Sequence, residues 1–123
     1  MAIDIEKFVA RYVGVWNEPD PDTRRATIAE LWAPDGTELL ETAEHTGHRE
    51  LEARVTEAYE RFVAGGEYVF VPAGDTAAHH GLVAFRTHMV PVGGGAAVWT
   101  GAMFVELDAE GRIRRDVQFA VPV

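Results

Sequence analysis

The chain has 123 residues, no cysteine and a formal charge of −9 at pH 7. Its length predicts a single domain over residues 1–123. The lack of cysteine excludes disulfides, thiolate catalysis and cysteine-ligated zinc. The acidic balance argues against nucleic-acid binding, since phosphate recognition requires clustered Lys and Arg. No apolar run reaches the roughly 20 residues that a membrane helix needs, and the acidic N-terminus lacks the apolar core of a signal peptide. We therefore expect a cytoplasmic protein that binds neither membranes nor nucleic acid.

The first half of the chain has the apolar periodicity of helices. Asp20 is expected to cap a second helix that has Pro21 in its first turn and that Pro34 ends. Thr46 is expected to cap a third helix, which the glycines at 65 and 66 end. The apolar faces of the three predicted helices are Ile5, Phe8, Val9, Tyr12, Val13 and Trp16, then Ile28, Leu31 and Trp32, then Leu51, Val55, Tyr59 and Phe62.

Strand patterns dominate the second half. A short strand at 37–41 follows the second helix, and runs at 68–72, 82–91, 97–107 and 113–121 predict four more. The glycines at 93–95 join the second and third of these four, and residues 108–111 form a hairpin turn between the third and fourth. Because helices come first and strands last, the order indicates an α+β fold, with three N-terminal helices packed on a curved, mainly antiparallel sheet.

Polar and apolar residues alternate on the last predicted strand. The polar set is Arg114, Asp116, Gln118 and Ala120, and the apolar set is Ile113, Val117, Phe119 and Val121. Residues two apart on a strand share a face, so Asp116 and Gln118 point the same way. Either the apolar set lies in the core and the polar set in water, or the polar set faces a pocket and the apolar set covers an interface.

Four segments of the chain carry a recognisable family pattern. They are Ala10-Arg11-Tyr12-Val13 with Trp16-Asn17, Leu31-Trp32-Ala33-Pro34-Asp35-Gly36, Phe85-Arg86-Thr87-His88-Met89-Val90 and Leu107-Asp108-Ala109-Glu110-Gly111-Arg112-Ile113. Together they resemble the nuclear transport factor 2-like superfamily, and within it the SnoaL-like group, over nearly the whole chain. The resemblance implies an α+β barrel with a cone-shaped pocket between helices and sheet, and a homodimer formed through the outer face of that sheet.

The resemblance can be followed residue by residue. Ketosteroid isomerases of this superfamily use an Asp base, with a Tyr and a protonated Asp as oxyanion donors. The matching positions are Tyr12 for the tyrosine, Leu40 for the base and Met103 for the second donor. Since neither Leu40 nor Met103 can transfer a proton, isomerisation by that mechanism is not expected. In SnoaL-like cyclases an acidic residue on the last strand handles the proton. That position falls at or near Gln118, so Asp116 would take the role.

The sequence therefore predicts a SnoaL-like small-molecule pocket protein. As an enzyme it would be a cofactor-independent isomerase, cyclase or hydrolase that transfers a proton on a small apolar cyclic substrate. Asp116 and Tyr12 are the candidate catalytic residues, and no cofactor or metal ion is expected. The residues expected to contact the substrate are Trp16, Leu40, Tyr59, Phe85, Thr87, Met103 and Gln118. The alternative is a non-catalytic ligand-binding or dimerisation module, which the replaced isomerase positions favour.

Overall fold

Two helices precede the sheet, and a third lies between its strands, in the computed structural model, which describes residues 3–122. The helices are α1 (Ile5–Trp16), α2 (Pro21–Leu31) and α3 (Gly47–Ala58), and a π-helical turn (Tyr59–Val63) continues α3. The predicted cap of α2 is confirmed, because the Asp20 carboxylate accepts a hydrogen bond from the Thr23 amide. None of the helices in the described chain has the length and apolarity needed to traverse a lipid bilayer.

The strands form one mixed sheet in the order β2-β1-β6-β5-β4-β3. They are β1 (Trp32–Leu39), β2 (Glu44–Thr46), β3 (Tyr68–His79), β4 (Leu82–Pro91), β5 (Trp99–Leu107) and β6 (Ile113–Val121). All neighbours are antiparallel except β1 and β6, which run parallel. The predicted α+β class is confirmed. The predicted barrel is wrong, however, because β2 and β3 remain the two edges of an open sheet.

The predicted boundaries of the first strand and of the second helix are wrong. Trp32 was expected on the second helix, yet its backbone is extended, with φ −99° and ψ 140°, and β1 begins there instead of at residue 37. The pairing of β1 with β6 is irregular between Trp32 and Thr37, which accommodates Pro34 inside the strand. The three-residue β2 was not predicted, because it is too short to show any alternation.

Two further strand boundaries also differ from the prediction. β3 continues to His79 instead of ending at residue 72, because a bulge between Ala73 and Ala77 lets its pairing with β4 resume. Gly74 makes that bulge possible with a φ of +72°. β5 begins at Trp99 instead of residue 97, since the preceding loop contains two glycines with positive φ.

A second bulge, at the start of β6, changes which side chains face the interior. Ile113 pairs with Leu107 and Arg115 pairs with Glu106, so Arg114 is the additional residue. Ile113 and Asp116 consequently both lie inward, and each is 0% exposed. Neither predicted arrangement of this strand holds in full, because Ile113 joins the core while Phe119, from the same apolar set, is 46% exposed.

Asn17 fixes the end of α1 to the edge of the sheet. Its side-chain amide donates to the Phe70 carbonyl at 2.7 Å and accepts from the Phe70 amide at 2.9 Å. One turn earlier, the ring of Tyr12 packs between the sheet and the end of α2, with its centroid 5.1 Å from that of Phe85 and 5.7 Å from that of Trp32. These contacts place the buried face of α1 directly over the inner residues of β4 and β6.

Two glycines provide a matched test of this packing. A Cβ on Gly36 would lie 2.6 Å from the Ile113 carbonyl oxygen, whereas a Cβ on Gly14, in α1, would meet nothing within 4 Å. We expect Gly36→Ala to lower the free energy of unfolding by about 2 kcal/mol and Gly14→Ala to raise it by about 0.5–1 kcal/mol. Urea unfolding of the two variants measures both changes, and equal effects would contradict the close approach of β1 to β6.

Candidate active site

Four buried polar side chains meet where α1 covers β1 and β6. Tyr12, Glu38, Asp116 and Gln118 are each at most 5% exposed. The parallel register places Glu38 opposite Asp116, and Gln118 follows two residues later on the same face of β6. Tyr12 reaches them from the buried side of α1. Local strand and helix geometry thus brings residues that are up to 106 positions apart into contact.

Hydrogen bonds connect all four side chains. The Tyr12 hydroxyl donates to Asp116 Oδ2 at 2.5 Å. Gln118 Nε2 donates to the Tyr12 hydroxyl oxygen at 2.8 Å and to Glu38 Oε2 at 2.6 Å. Because Glu38 offers only acceptors when ionised, it sets the orientation of the Gln118 amide. Arg54 Nε completes the network by donating to Glu38 Oε1 at 2.9 Å, while Asp116 Oδ1 has no partner within the described chain.

Burial shifts the protonation of these groups. It raises the pKa of Asp116 to about 7, and the neighbouring Glu38 charge adds to that rise. Hydrogen bonds from Tyr12 and Gln118 act in the opposite direction. Burial also raises the pKa of Glu38, against the attraction of Arg54, and raises the pKa of Tyr12 well above its usual 10.0. Asp116 can therefore gain or lose a proton near neutral pH.

A cavity of about 110 Å³ lies next to this network. Its polar lining consists of Tyr12, Gln118, Arg54 and Thr87, and its apolar lining consists of Trp16, Ala58, Phe62, Phe70, Met89, Trp99 and Met103. A dry cavity of roughly 150 Å³ is enough to hold one benzene ring. Phe62, Phe70 and Trp99 are partly exposed, so the cavity opens between the π-helical turn, β3 and β5. The cavity is smaller than that benchmark, so a compound larger than a single ring does not fit inside it.

Most of the predicted site residues come together at this cavity. Tyr12, Trp16, Thr87, Met103 and Gln118 line it. Asp116 lies behind the lining and reaches the cavity through its hydrogen bonds with Tyr12 and Gln118. The roles assigned to these residues remain predictions.

Three predicted substrate contacts lie elsewhere. Leu40 follows the end of β1 in a loop, because the strand ends one residue earlier. Tyr59 begins the π-helical turn, and its ring instead covers the Arg24 guanidinium at 4.6 Å. Phe85 is buried in the core behind Tyr12 and does not line the cavity.

Sequence reasoning missed Glu38 and Arg54. Glu38 lies two residues before Leu40, so strand alternation places it on the face that was assigned to Leu40. Arg54 lies three residues after Leu51 and four before Ala58, which puts it beside the apolar stripe of α3. Both signals were available, but a charged residue on an otherwise apolar face is usually exposed.

Potential metal ligands do not cluster in the part of the chain that the structure describes. Among residues 3–122, no three His, Asp or Glu side chains are grouped so that they could hold an ion. His48 instead has its Nε2 2.8 Å from the Trp32 carbonyl oxygen, and His79 and His80 contact each other at a surface turn.

Known structures share this fold. No protein-family model and no curated protein sequence matches the chain. A SnoaL-like family protein from Agrobacterium tumefaciens, described as a candidate isomerase, is 26% identical with a TM-score of 0.85, and the match covers 96% of this chain and 97% of that one. A candidate polyketide cyclase from Sinorhizobium meliloti is 22% identical with a TM-score of 0.68, covering 92% and 94%. A SnoaL-like protein of unknown function from Burkholderia thailandensis is 14% identical with a TM-score of 0.74, covering 98% and 100%.

These similarities confirm the predicted resemblance. The chain has the nuclear transport factor 2-like fold, and its structural neighbours include SnoaL-like, cyclase-like and ketosteroid isomerase-like proteins. Their activities differ or are unknown, so the fold alone does not identify a reaction.

Replacing Asp116 tests whether its carboxyl is buried. Its pKa is higher in the folded chain, so folding is favoured by protonation. The stabilisation is complete below the unfolded pKa and is lost as the pH rises towards about 7. We expect the free energy of unfolding to fall with pH by up to about 1.4 kcal/mol per unit over this interval for Asp116 alone. Asp116→Asn should remove this contribution and leave the weaker dependence that comes from Glu38, whose pKa burial also raises.

Urea unfolding between pH 5 and pH 8 measures the effect. Asp35→Asn, at an exposed carboxyl of β1, is the control and should keep the wild-type pH dependence. Parallel curves for wild type and Asp116→Asn would show that Asp116 is not a buried carboxyl.

Proposed function

We propose that this chain is a small-molecule pocket protein that catalyses proton transfer on a small, largely apolar ring compound without a cofactor. The observation that carries the proposal is the 2.5 Å hydrogen bond between the Tyr12 hydroxyl and Asp116. It joins a hydroxyl on the cavity wall to a buried carboxyl whose pKa is about 7. A group that is half protonated near pH 7 is well suited to general acid–base catalysis at neutral pH.

Tyr12 would exchange the proton with the substrate, and Asp116 would resupply it. When Asp116 is protonated, its O–H donates to the Tyr12 oxygen, and the tyrosine proton is free to bond a substrate carbonyl oxygen. A hydroxyl can accept two hydrogen bonds while donating one, so the contact from Gln118 is retained. In the forward step the substrate oxygen takes the Tyr12 proton, Tyr12 takes the Asp116 proton, and the substrate's α-carbon proton passes to water. The products are an enol, ionised Asp116 and a hydronium ion.

Exchange of α-hydrogens with solvent tests this chemistry directly. We expect the protein to accelerate deuterium incorporation into 2-cyclohexenone in D₂O, measured by NMR. The rate should fall above the pKa of Asp116, because the acid form is lost. Tyr12→Phe and Asp116→Asn should each reduce the acceleration by about 100-fold or more, the usual contribution of a positioned acid or base.

Tyr59→Phe is the matched control, because that hydroxyl lies outside the cavity, and it should exchange as fast as wild type. Full exchange activity in Tyr12→Phe would overturn the proposed role of Tyr12.

A non-catalytic binding module is the second candidate. Met103 is apolar at one of the isomerase positions and Leu40 lies outside the cavity at the other, which supports binding without turnover. In that case cyclohexenone would bind, as seen by broadening of its NMR signals, while its exchange rate would equal that in buffer. Asp116→Asn would then leave binding unchanged.

We also propose that the chain forms a homodimer through the outer face of its sheet. Phe104 and Phe119 are 49% and 46% exposed on neighbouring strands, with ring centroids 5.9 Å apart. Val117 pairs with Phe104 and extends this apolar surface. Clustered apolar side chains of this kind mark association surfaces, and a second copy of the chain would cover them.

Charge substitution on that face should produce monomers. We expect wild type to elute with the mass of a dimer in size-exclusion chromatography with light scattering, and Phe104→Arg or Phe119→Arg to shift it to the monomer mass. Val92→Arg, at an exposed loop residue, should leave the mass unchanged. A wild-type protein that elutes with the monomer mass would contradict the proposed homodimer.

A further inference from the structure

We propose that the cavity selects ring compounds that carry a carboxylate, and that Arg54 binds this group. The inference rests on the proposed role of the cavity as a small-molecule site, and it names the class of ligand that the site takes. It does not depend on whether the bound compound is then converted.

Arg54 is placed to receive a negatively charged group. It lines the cavity from α3, and its guanidinium carbon lies 5.1 Å from the centre of the Trp16 ring. One nitrogen, Nε, donates to Glu38, whereas the two terminal nitrogens bond no residue among 3–122. The side chain is 22% exposed while that of Glu38 is 0% exposed, so Arg54 can be reached from outside. A guanidinium whose terminal N–H groups are free can bind a carboxylate through two parallel hydrogen bonds.

The cavity wall offers donors in excess of acceptors. Trp16 Nε1 and Thr87 Oγ1 are buried without a hydrogen-bond partner in the described chain, and both residues line the cavity. An indole N–H can only donate, and a hydroxyl can donate equally well. The carboxylate oxygens of Glu38 are already occupied by Gln118 and Arg54, and Asp116 lies behind Tyr12. A ligand rich in acceptor oxygens therefore complements this wall better than a ligand that donates.

The surface arginines that form ion pairs differ from Arg54 in this respect. Arg11 pairs with Glu30 at 2.7 Å, and Arg25 pairs with both Glu52 and Asp22, all of them on the protein surface. Arg54 has a single acidic partner, bonded through a single nitrogen, and it faces an aromatic cavity of one-ring size. The aromatic walls therefore match the ring of the ligand, and the terminal N–H groups of the Arg54 guanidinium match its carboxylate.

Binding of benzoate and benzamide separates charge from shape, because the two molecules are nearly isosteric. We expect calorimetry to show benzoate binding at least tenfold more tightly than benzamide to the wild-type protein. Arg54→Gln should weaken benzoate at least tenfold and leave benzamide unchanged. Glu38→Gln should tighten benzoate severalfold, because it removes the neighbouring negative charge that repels the ligand and partly neutralises Arg54. Arg49→Gln, at an exposed arginine of the same helix, should bind as wild type does.

A double variant keeps the binding experiment interpretable if Arg54→Gln alone destabilises the protein. Arg54→Gln leaves Glu38 buried without its cation, which can destabilise the fold, whereas Glu38→Gln with Arg54→Gln removes both charges and leaves neither of them unpaired. The double variant should bind benzoate no more tightly than benzamide. Equal affinities in wild type, no binding of either compound, or a benzoate preference that persists in the double variant would each overturn the inference.

The experiments distinguish failure of the catalytic proposal from failure of the proposed ligand class. If benzoate is not preferred but Tyr12 is still required for deuterium exchange into cyclohexenone, proton transfer stands and the carboxylate class is wrong. If benzoate is preferred through Arg54 but exchange is not accelerated, the ligand class stands and the catalytic proposal falls.

Discussion

The parallel pairing of β1 with β6 determines what the interior of this protein contains. In an otherwise antiparallel sheet, this one junction sets Glu38 beside Asp116 and aims both at α1. Two carboxyl groups buried side by side would repel each other if both were ionised. The rest of the site can be understood as the means of accommodating that pair: Arg54 neutralises one carboxyl, while Tyr12 and Gln118 bond the other.

This arrangement has a cost in stability. An apolar pair at the positions of Glu38 and Asp116 would pack in the same space without the cost of removing charges from water. Stability is commonly reduced at functional sites for this reason. The distribution of charge in the site is asymmetric, because Glu38 has a cation beside it whereas Asp116 has only neutral donors. The Arg54 charge opposes the rise in the pKa of Glu38, whereas no cation among residues 3–122 bonds Asp116, whose pKa rises to about 7.

The sequence predicted the fold more fully than the site. Helical periodicity, the Asp20 cap and the order of helices and strands were sufficient for the α+β class. Helical periodicity also placed Tyr12 inside. Alternation on the last strand left Gln118 facing either water or a pocket, and only the family resemblance favoured the pocket. The bulge at Arg114 could not be foreseen, since one extra residue in a strand leaves no mark on composition. Leu40 was assigned to the cavity because it matches the general-base position of the family pattern, and Glu38, two residues earlier on the same predicted strand, was not considered. Arg54 was missed because its role depends on Glu38, a contact between segments that no local pattern records.

The π-helical turn at Tyr59–Val63 provides a way to change the shape of the cavity entrance. A π-helical turn accommodates one more residue than the α-helical turn that it replaces. The direction of the Phe62 side chain at the cavity mouth therefore depends on the number of residues in this turn. Loss of a single residue upstream in the turn would rotate Phe62 by about 100° around the helix axis and would leave α3 and Arg54 in place. The entrance can thus be reshaped by insertion or deletion while the polar network beneath it is kept.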